Sequence, residues 1–311
     1  MLDEAAATCL FEVSKLEMNE TKPRMLIIGS RGFLGNYLTR AAGSDFLVIE
    51  GNRSSSERSA DVVMDIRNQQ SVKHAFAVAN PDIVLLLAAY ADIDCCQQHP
   101  DEARAVNLRG AEHVAAECAR SNVQLLFTST GAVFDGKKHG YTEADSVSPV
   151  SVYGETKAAA ETSISALVPN AILARISLVV GFAARFPTNS LLDNLKAKWI
   201  AGRSVAMPVF EYRNPIDAGT CSQILLDLLK KKERGVFNIG CADPVSRYDL
   251  GRTFASRMGY ADLVQPQLKP IPGRAPRGPY HFLLTDKLRA VSSIPIPTSD
   301  QVVERCFAVA A

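Results

Sequence analysis

Short apolar runs alternate with stretches of helical spacing along most of this chain. Met25 to Ile28 is an apolar run ending at a glycine turn, and Phe33 to Ala42 follows with helical spacing, which predicts strand, turn, helix. Phe46 to Ile49 reads as the next strand, Val62 to Met64 as a third ending at Asp65, and Ser71 to Ala79 as a helix. Pro81 precedes the strongly apolar strand Ile83 to Leu87, Pro100 starts a long helix through Arg120, and Gln124 to Thr128 is a further strand. A polar loop then leads into a helix that carries Tyr153. This beat predicts an α/β fold in which a parallel sheet has helices on both faces.

The beat changes after the strand-like run Ala171 to Val180. Phe182 to Arg213 is irregular and holds the only tryptophan, Trp199, before Thr220 to Lys232 and Val236 to Ile239 resume as helix and strand. A proline-rich stretch from Pro266 to Pro279 separates short elements near the C-terminus. The expected organisation is an N-terminal extension (1–24), a larger domain built on the parallel sheet (25–177 and 214–240) and a smaller C-terminal lobe (178–213 and 241–311). The extension has no signal-peptide pattern, because Asp3, Glu4 and Glu12 interrupt its apolar character.

Length and composition narrow the classes. The 311 residues suffice for a sizeable core, and a net charge of +1 provides no broad basic field for nucleic acid. No apolar run approaches the ~18 residues of a membrane span. Seven cysteines without Cys-x-x-Cys spacing or histidine clusters argue against zinc and a disulfide framework, and fit a reducing cytoplasm.

Gly29-x-x-Gly32-x-x-Gly35, between a strand and a helix, has the makings of a pyrophosphate cradle in a Rossmann-type, doubly wound sheet. The first glycine permits a tight turn, the second lets backbone approach the anion, and the third lets helix pack on strand. Phe33 and Leu34 open the helix whose N–H groups would face the phosphates. A carboxylate ending the second strand would hold the ribose of NAD, but Gly51 stands at the tip, with Glu50 the sole acidic candidate. Arg31 and Arg53 are placed to flank a 2′-phosphate, so NADP(H) is expected over NAD(H), unless both are merely solvated. Asp65, followed by Ile66, either accepts from the adenine amino group or caps a helix.

Tyr153 and Lys157 stand one helical turn apart, so phenol and ammonium share a face. A phenol titrating near ~10 needs a nearby cation and a hydrogen-bonded hydroxyl to favour its phenolate form, and the pair reads as proton-transfer machinery. With the glycine motif, Ala88-Ala89-Tyr90, Ser129-Thr130 before Val133-Phe134-Asp135-Gly136, Ala105-Val106-Asn107, and Arg175-Ile176 before Gly181, the chain resembles the extended short-chain dehydrogenase/reductases. Within these it is most similar to the dTDP-4-dehydrorhamnose reductase group, from about Met25 onward.

The resemblance implies a ketoreductase in which Tyr153 protonates the substrate oxygen, Lys157 holds the nicotinamide ribose and Thr130 bonds the reacting oxygen. It further implies that Ala88, Ala89, Tyr90 and Ile176 border the cofactor and that Asn107 braces the active-site backbone. Ile93 and Asp94 are expected to reach the substrate, Arg213 and Arg277 to meet a nucleotide diphosphate, and the helices near 101–119 and 153–167 to form a homodimer. The chain departs from the pattern Ser-Thr-Asp-Tyr-Val-Phe-Asp-Gly by placing Gly131-Ala132 after Thr130, which predicts a more open site and excludes dehydration chemistry. The expected function is NADPH-dependent reduction of a nucleotide-linked deoxysugar. The alternatives are a sugar-nucleotide epimerase and a non-enzymatic, NADP-binding regulatory subunit.

Overall fold

Seven parallel strands make the central sheet of the computed structural model, which describes residues 22–54 and 61–308. Residues 1–21 of the expected extension lie outside the described residues. The first half runs β1 (Arg24–Ile28), α1 (Phe33–Ala42), β2 (Leu47–Asn52), β3 (Asp61–Val63), α2 (Gln69–Ala79), β4 (Ile83–Leu86) and α3 (Ile93–Gln98). Then come α4 (Pro100–Arg104), a π-helical turn (Ala105–Arg109), α5 (Gly110–Ser121), β5 (Gln124–Thr130), α6 (Val152–Leu167), β6 (Ile172–Ile176) and β7 (Leu178–Val180). The remainder is α7 (Leu191–Ile200), β8 (Val205–Pro208), β9 (Tyr212–Arg213), β10 (Pro215–Asp217), α8 (Ala218–Lys230), β11 (Gly235–Ile239), β12 (Val245–Ser246), α9 (Arg247–Arg257), β13 (Val264–Gln267), β14 (Tyr280–His281), α10 (Asp286–Val291) and α11 (Ser299–Ala308).

The sheet order is β11-β6-β5-β4-β1-β2-β3, so the winding reverses between β1 and β4, where a crevice opens beyond the strand ends. Alternate residues of each strand feed opposite cores. Leu26, Ile28, Val84, Leu86, Leu125 and Phe127 pack under α2, α5 and α6, while Met25, Ile27, Leu85 and Leu126 pack under α1 and α8. Burial on both faces is why these strands read as unbroken apolar runs. A separate core around Leu192, Trp199, Met207, Leu250, Phe254 and Val302 holds the smaller C-terminal layer together.

Three boundaries differ from the sequence reading, each for a tertiary reason. The second strand runs on to Asn52, because Glu50 and Asn52 turn their polar side chains to Ser30 of the glycine turn. The run Ala171 to Val180 is two strands in different sheets. It breaks at Ser177, whose N–H donates to Ile239 O at 3.1 Å and whose hydroxyl donates to His281 O at 2.8 Å. The long helix from Pro100 loosens into a π turn around Asn107, a device that frequently marks functional sites. Among the described residues, no helix is long and apolar enough to cross a membrane, and six cysteines are free.

Candidate active site

Thr130 is the last residue of β5, and Tyr153 is the second of α6. Ser151 caps α6 by accepting from Gly154 N–H at 3.3 Å. Gly154 lets this helix start press on the turn after Thr130, since a Cβ there would meet Ala132 O at 2.2 Å. Thr130 and Tyr153 thereby come within hydrogen-bonding reach, and Thr130 Oγ1 also accepts from Ala132 N–H at 3.1 Å. From the facing π turn, buried Asn107 clasps Tyr90 through its N–H at 2.8 Å and its carbonyl at 3.0 Å. It also donates to Thr156 Oγ1 at 3.1 Å, so three elements are fixed by one amide.

Burial governs the titration here. It pushes the Tyr153 phenol up to about 12, against the lowering effect of the Thr130 hydroxyl. The sequence led us to expect a phenol favoured as phenolate by a cation, but desolvation outweighs that influence. Burial also pulls the Lys157 ammonium down to about 7, opposed by the charge of Glu161. Lys157 is 2% exposed, with Nζ 3.8 Å from the centre of the Phe127 ring.

Thr130, Tyr153 and Lys157 line one cleft of about 450 Å³, together with Phe33, Leu34, Ala89, Ile93 and Ile176. Gly29, Arg53, Asp65, Ile66, Ala88, Ala89 and Tyr90 line a second cavity of about 480 Å³, so Ala89 borders both. Gly29 has φ +93°, and a Cβ there would lie 2.8 Å from Ala88 N; one on Gly35 would lie 2.3 Å from Gly29 O. Gly32 caps α1 without any side-chain hydrogen bond. The helix start is left to offer its N–H groups to an anion.

Arg31 is partly buried, its N–H donating to Asn52 Oδ1 at 3.2 Å, and Arg53 is exposed beyond the end of β2. Glu50 is engaged elsewhere: it accepts from Ser30 at 3.0 Å and from Arg185 at 3.0 and 3.1 Å. Asp65 is gripped by Arg67 at 2.7–3.1 Å, which holds its carboxyl below the usual range, and Asn68 caps α2 instead.

Arg213 and Arg277 line the main cleft with Arg247 and Arg274, which the sequence reading missed. Among its described lining residues these four arginines face one acid, Glu211. Burial lowers Arg213 to about 10, and Glu211 stands 3.5 Å from its guanidinium. Asp94 is bonded twice by Arg277, at 3.0 and 2.8 Å, and accepts Ala275 N–H at 2.8 Å; Arg277 holds its carboxyl down at about 2. It is thus a tether between α3 and the proline-rich stretch, while its neighbour Ile93 reaches the cleft. The expectation of a more open site at Gly131-Ala132 divides between the two positions: Ala132 lines the main cleft, whereas the space at Gly131 is taken. His281 Cβ and the Leu283 δ-carbons stand 3.3 and 3.6 Å from where a Gly131 Cβ would be, so the C-terminal layer fills the space.

Comparison with known proteins adds three relatives. A probable low-salt glycan biosynthesis reductase of Haloferax volcanii is 28% identical over 263 residues, 78% of this chain and 86% of that protein. A dTDP-4-dehydrorhamnose reductase of Aggregatibacter actinomycetemcomitans is 28% identical, covering 73% of this chain and 76% of its own length. The crystal structure of a Bacillus anthracis dTDP-4-dehydrorhamnose reductase in complex with NADP superposes with TM-score 0.84, at 21% identity, over 93% of this chain and 99% of that one. At that identity the superposition establishes the fold. The profile of the RmlD substrate binding domain matches residues 23–311, and the chain belongs to that family.

Proposed function

We propose that this protein is an oxidoreductase that uses NADPH to reduce the keto group of a nucleotide-linked deoxysugar, in the manner of dTDP-4-dehydrorhamnose reductases. The observation that carries the reading is the convergence of Thr130, Tyr153 and Lys157 on one cleft with four arginines. The glycine turn suits a dinucleotide: its Gly29 and Gly35 have no room for a Cβ, and the start of α1 is left to face phosphate. Glu50 is held by Ser30 and Arg185, while Arg53 lines the second cavity, an arrangement that favours a 2′-phosphate over a free ribose hydroxyl.

When bound there, NADPH supplies the hydride. Tyr153 enters as the phenol, the form that burial enforces, and delivers its proton to the carbonyl oxygen. Thr130 donates a hydrogen bond to the same oxygen and stabilises developing alkoxide. Lys157 holds the nicotinamide ribose, and Asn107 fixes Tyr90 and α6 around it. Arg213, Arg247, Arg274 and Arg277 take the diphosphate, since guanidinium forks match phosphate oxygens. The same reading includes a homodimer packed through the helices near 101–119 and 153–167, a cytoplasmic location, and the division into a dinucleotide domain (25–177, 214–240) and a substrate lobe (178–213, 241–311).

The test is absorbance loss of NADPH across a panel of 4-keto-6-deoxy nucleotide sugars, with NADH as the comparison. Oxidation of NADPH by one such sugar, slowed at least about 10²-fold in Tyr153→Phe, is the expected result. Tight cofactor binding without turnover of any keto sugar would favour a regulatory subunit.

A further inference from the structure

Beneath the cleft lies a cluster of buried charges that the proposed reaction does not use. Glu161 is one turn beyond Lys157 on α6 and 5% exposed. Arg175 of β6, also 5% exposed, grips it with Nε 3.1 Å from both carboxylate oxygens and with Nη2 at 2.7 Å from Oε2. Ser129, next to Thr130 and lining the cleft, donates its hydroxyl to Glu161 Oε1. A buried carboxylate gripped in this way is held in place.

We propose that Glu161 is a positioning residue for the reaction: clamped between Arg175 and Ser129, its fixed negative charge holds Lys157 as an ammonium toward the cleft. The inference deepens the reading above and rests on it for the role of Lys157. Among the described residues, Glu161 is the one charge found acting on Lys157. β5 presents the Phe127 ring and the neutral Ser129, α3 presents Cys96 with its thiol pushed up to about 11, and Glu112 of α5 is bonded to Ser163 further along the helix. Arg175 is committed to Glu161. Tyr153, four residues before Lys157, remains a neutral phenol. Desolvation alone drives a buried lysine toward neutrality, so without Glu161 the ammonium would be lost at working pH.

The experiment follows the Lys157 side-chain NMR signals through a pH titration of the full, lysine-labelled chain, assigned with Lys157→Met. In Glu161→Gln the midpoint should fall by about 1 pH unit, the effect expected on losing an opposite charge one helical turn away. Glu161→Asp should restore most of it. At pH 7 such a fall leaves about fivefold less ammonium, so NADPH should bind up to about fivefold more weakly, and the deficit should vanish near pH 5.5. A general structural defect would persist at both pH values. Because Glu161→Gln strands a buried arginine, Glu161→Gln combined with Arg175→Met is measured beside it, and there the midpoint should fall in the same direction by a smaller amount, since a positive charge leaves with the negative one. A midpoint unmoved by these changes, or an NADPH deficit equal at both pH values, overturns the proposal. If the titration behaves as expected and no keto sugar is reduced, the reductase reading falls while this inference stands.

Discussion

Replacing Gly35 by alanine sets two opposed effects against each other in one helix. Alanine is favoured over glycine inside a helix by up to about 1 kcal/mol, so propensity alone predicts a gain. The added Cβ, however, would sit 2.3 Å from Gly29 O and 2.7 Å from Ser30 O, where ordinary contact begins at 3.4 Å, a shortfall of 1.1 Å. Both obstacles are backbone atoms of the turn itself, so no side-chain rotation relieves them. Moving α1 off the turn by that distance costs about 1–3 kcal/mol, and it displaces the N–H groups proposed to meet the phosphates. The clash therefore wins. Gly35→Ala should lower the urea midpoint and weaken NADPH binding by tenfold or more, as each ~1.4 kcal/mol is a factor of ten.

Two neighbours calibrate this result. At Gly32 the nearest contact of a Cβ is 3.2 Å, so Gly32→Ala should barely change stability yet weaken NADPH by obstructing its approach. At Gly43, with φ −62° and nothing nearer than 3.9 Å, alanine should stabilise by about 0.4–1 kcal/mol without affecting binding. Urea unfolding and calorimetric NADPH titration of the three variants suffice. Unchanged affinity and an undiminished midpoint in Gly35→Ala would refute the reasoning.

Other predictions follow from the site. Tyr153→Phe should cut kcat by about 10²–10⁴-fold while NADPH affinity stays within a few-fold, as steady-state kinetics and calorimetry will report. Lys157 has its folded pKa depressed from 10.5 to about 7, so the unfolded chain binds more protons between those values and stability rises with pH across that window. Urea midpoints of the wild type, compared with Lys157→Met at pH 7 and pH 9, should show that rise only in the wild type. Asp94 has its carboxyl depressed from 3.8 to about 2, so its stabilising effect is present above pH 4 and lost as pH falls toward 2. Its side chain is 33% exposed, so Asp94→Asn should cost no more than about 1 kcal/mol, and it should raise KM for the sugar nucleotide by freeing Arg277.

The sheet was legible in the sequence because strands buried on both faces are plain apolar runs, and the glycine turn because its spacing is local. Tyr153 and Lys157 were legible for the same reason: one helix carries both. What escaped is assembled across distance. Ser177 breaks an apolar run only because His281, more than a hundred residues later, accepts its hydroxyl. Arg247 and Arg274 come from a helix start and a proline-rich stretch with no motif to separate them from solvated arginines. Asp94 looked available to a substrate, since nothing near it in the sequence shows that Arg277 claims both its oxygens. The gap left by Gly131 looked open for the same reason, with His281 filling it from β14.

The proposed reaction requires direct hydride transfer to a sugar carbon beside Tyr153. NADPH deuterated at its transferable position, incubated with the protein and a 4-keto-6-deoxy nucleotide sugar, tests this by mass spectrometry of the product. One deuterium on the reduced carbon, with one NADP⁺ formed per sugar, is the predicted result. An isomerised sugar without label, and with the NADPH intact, would contradict it.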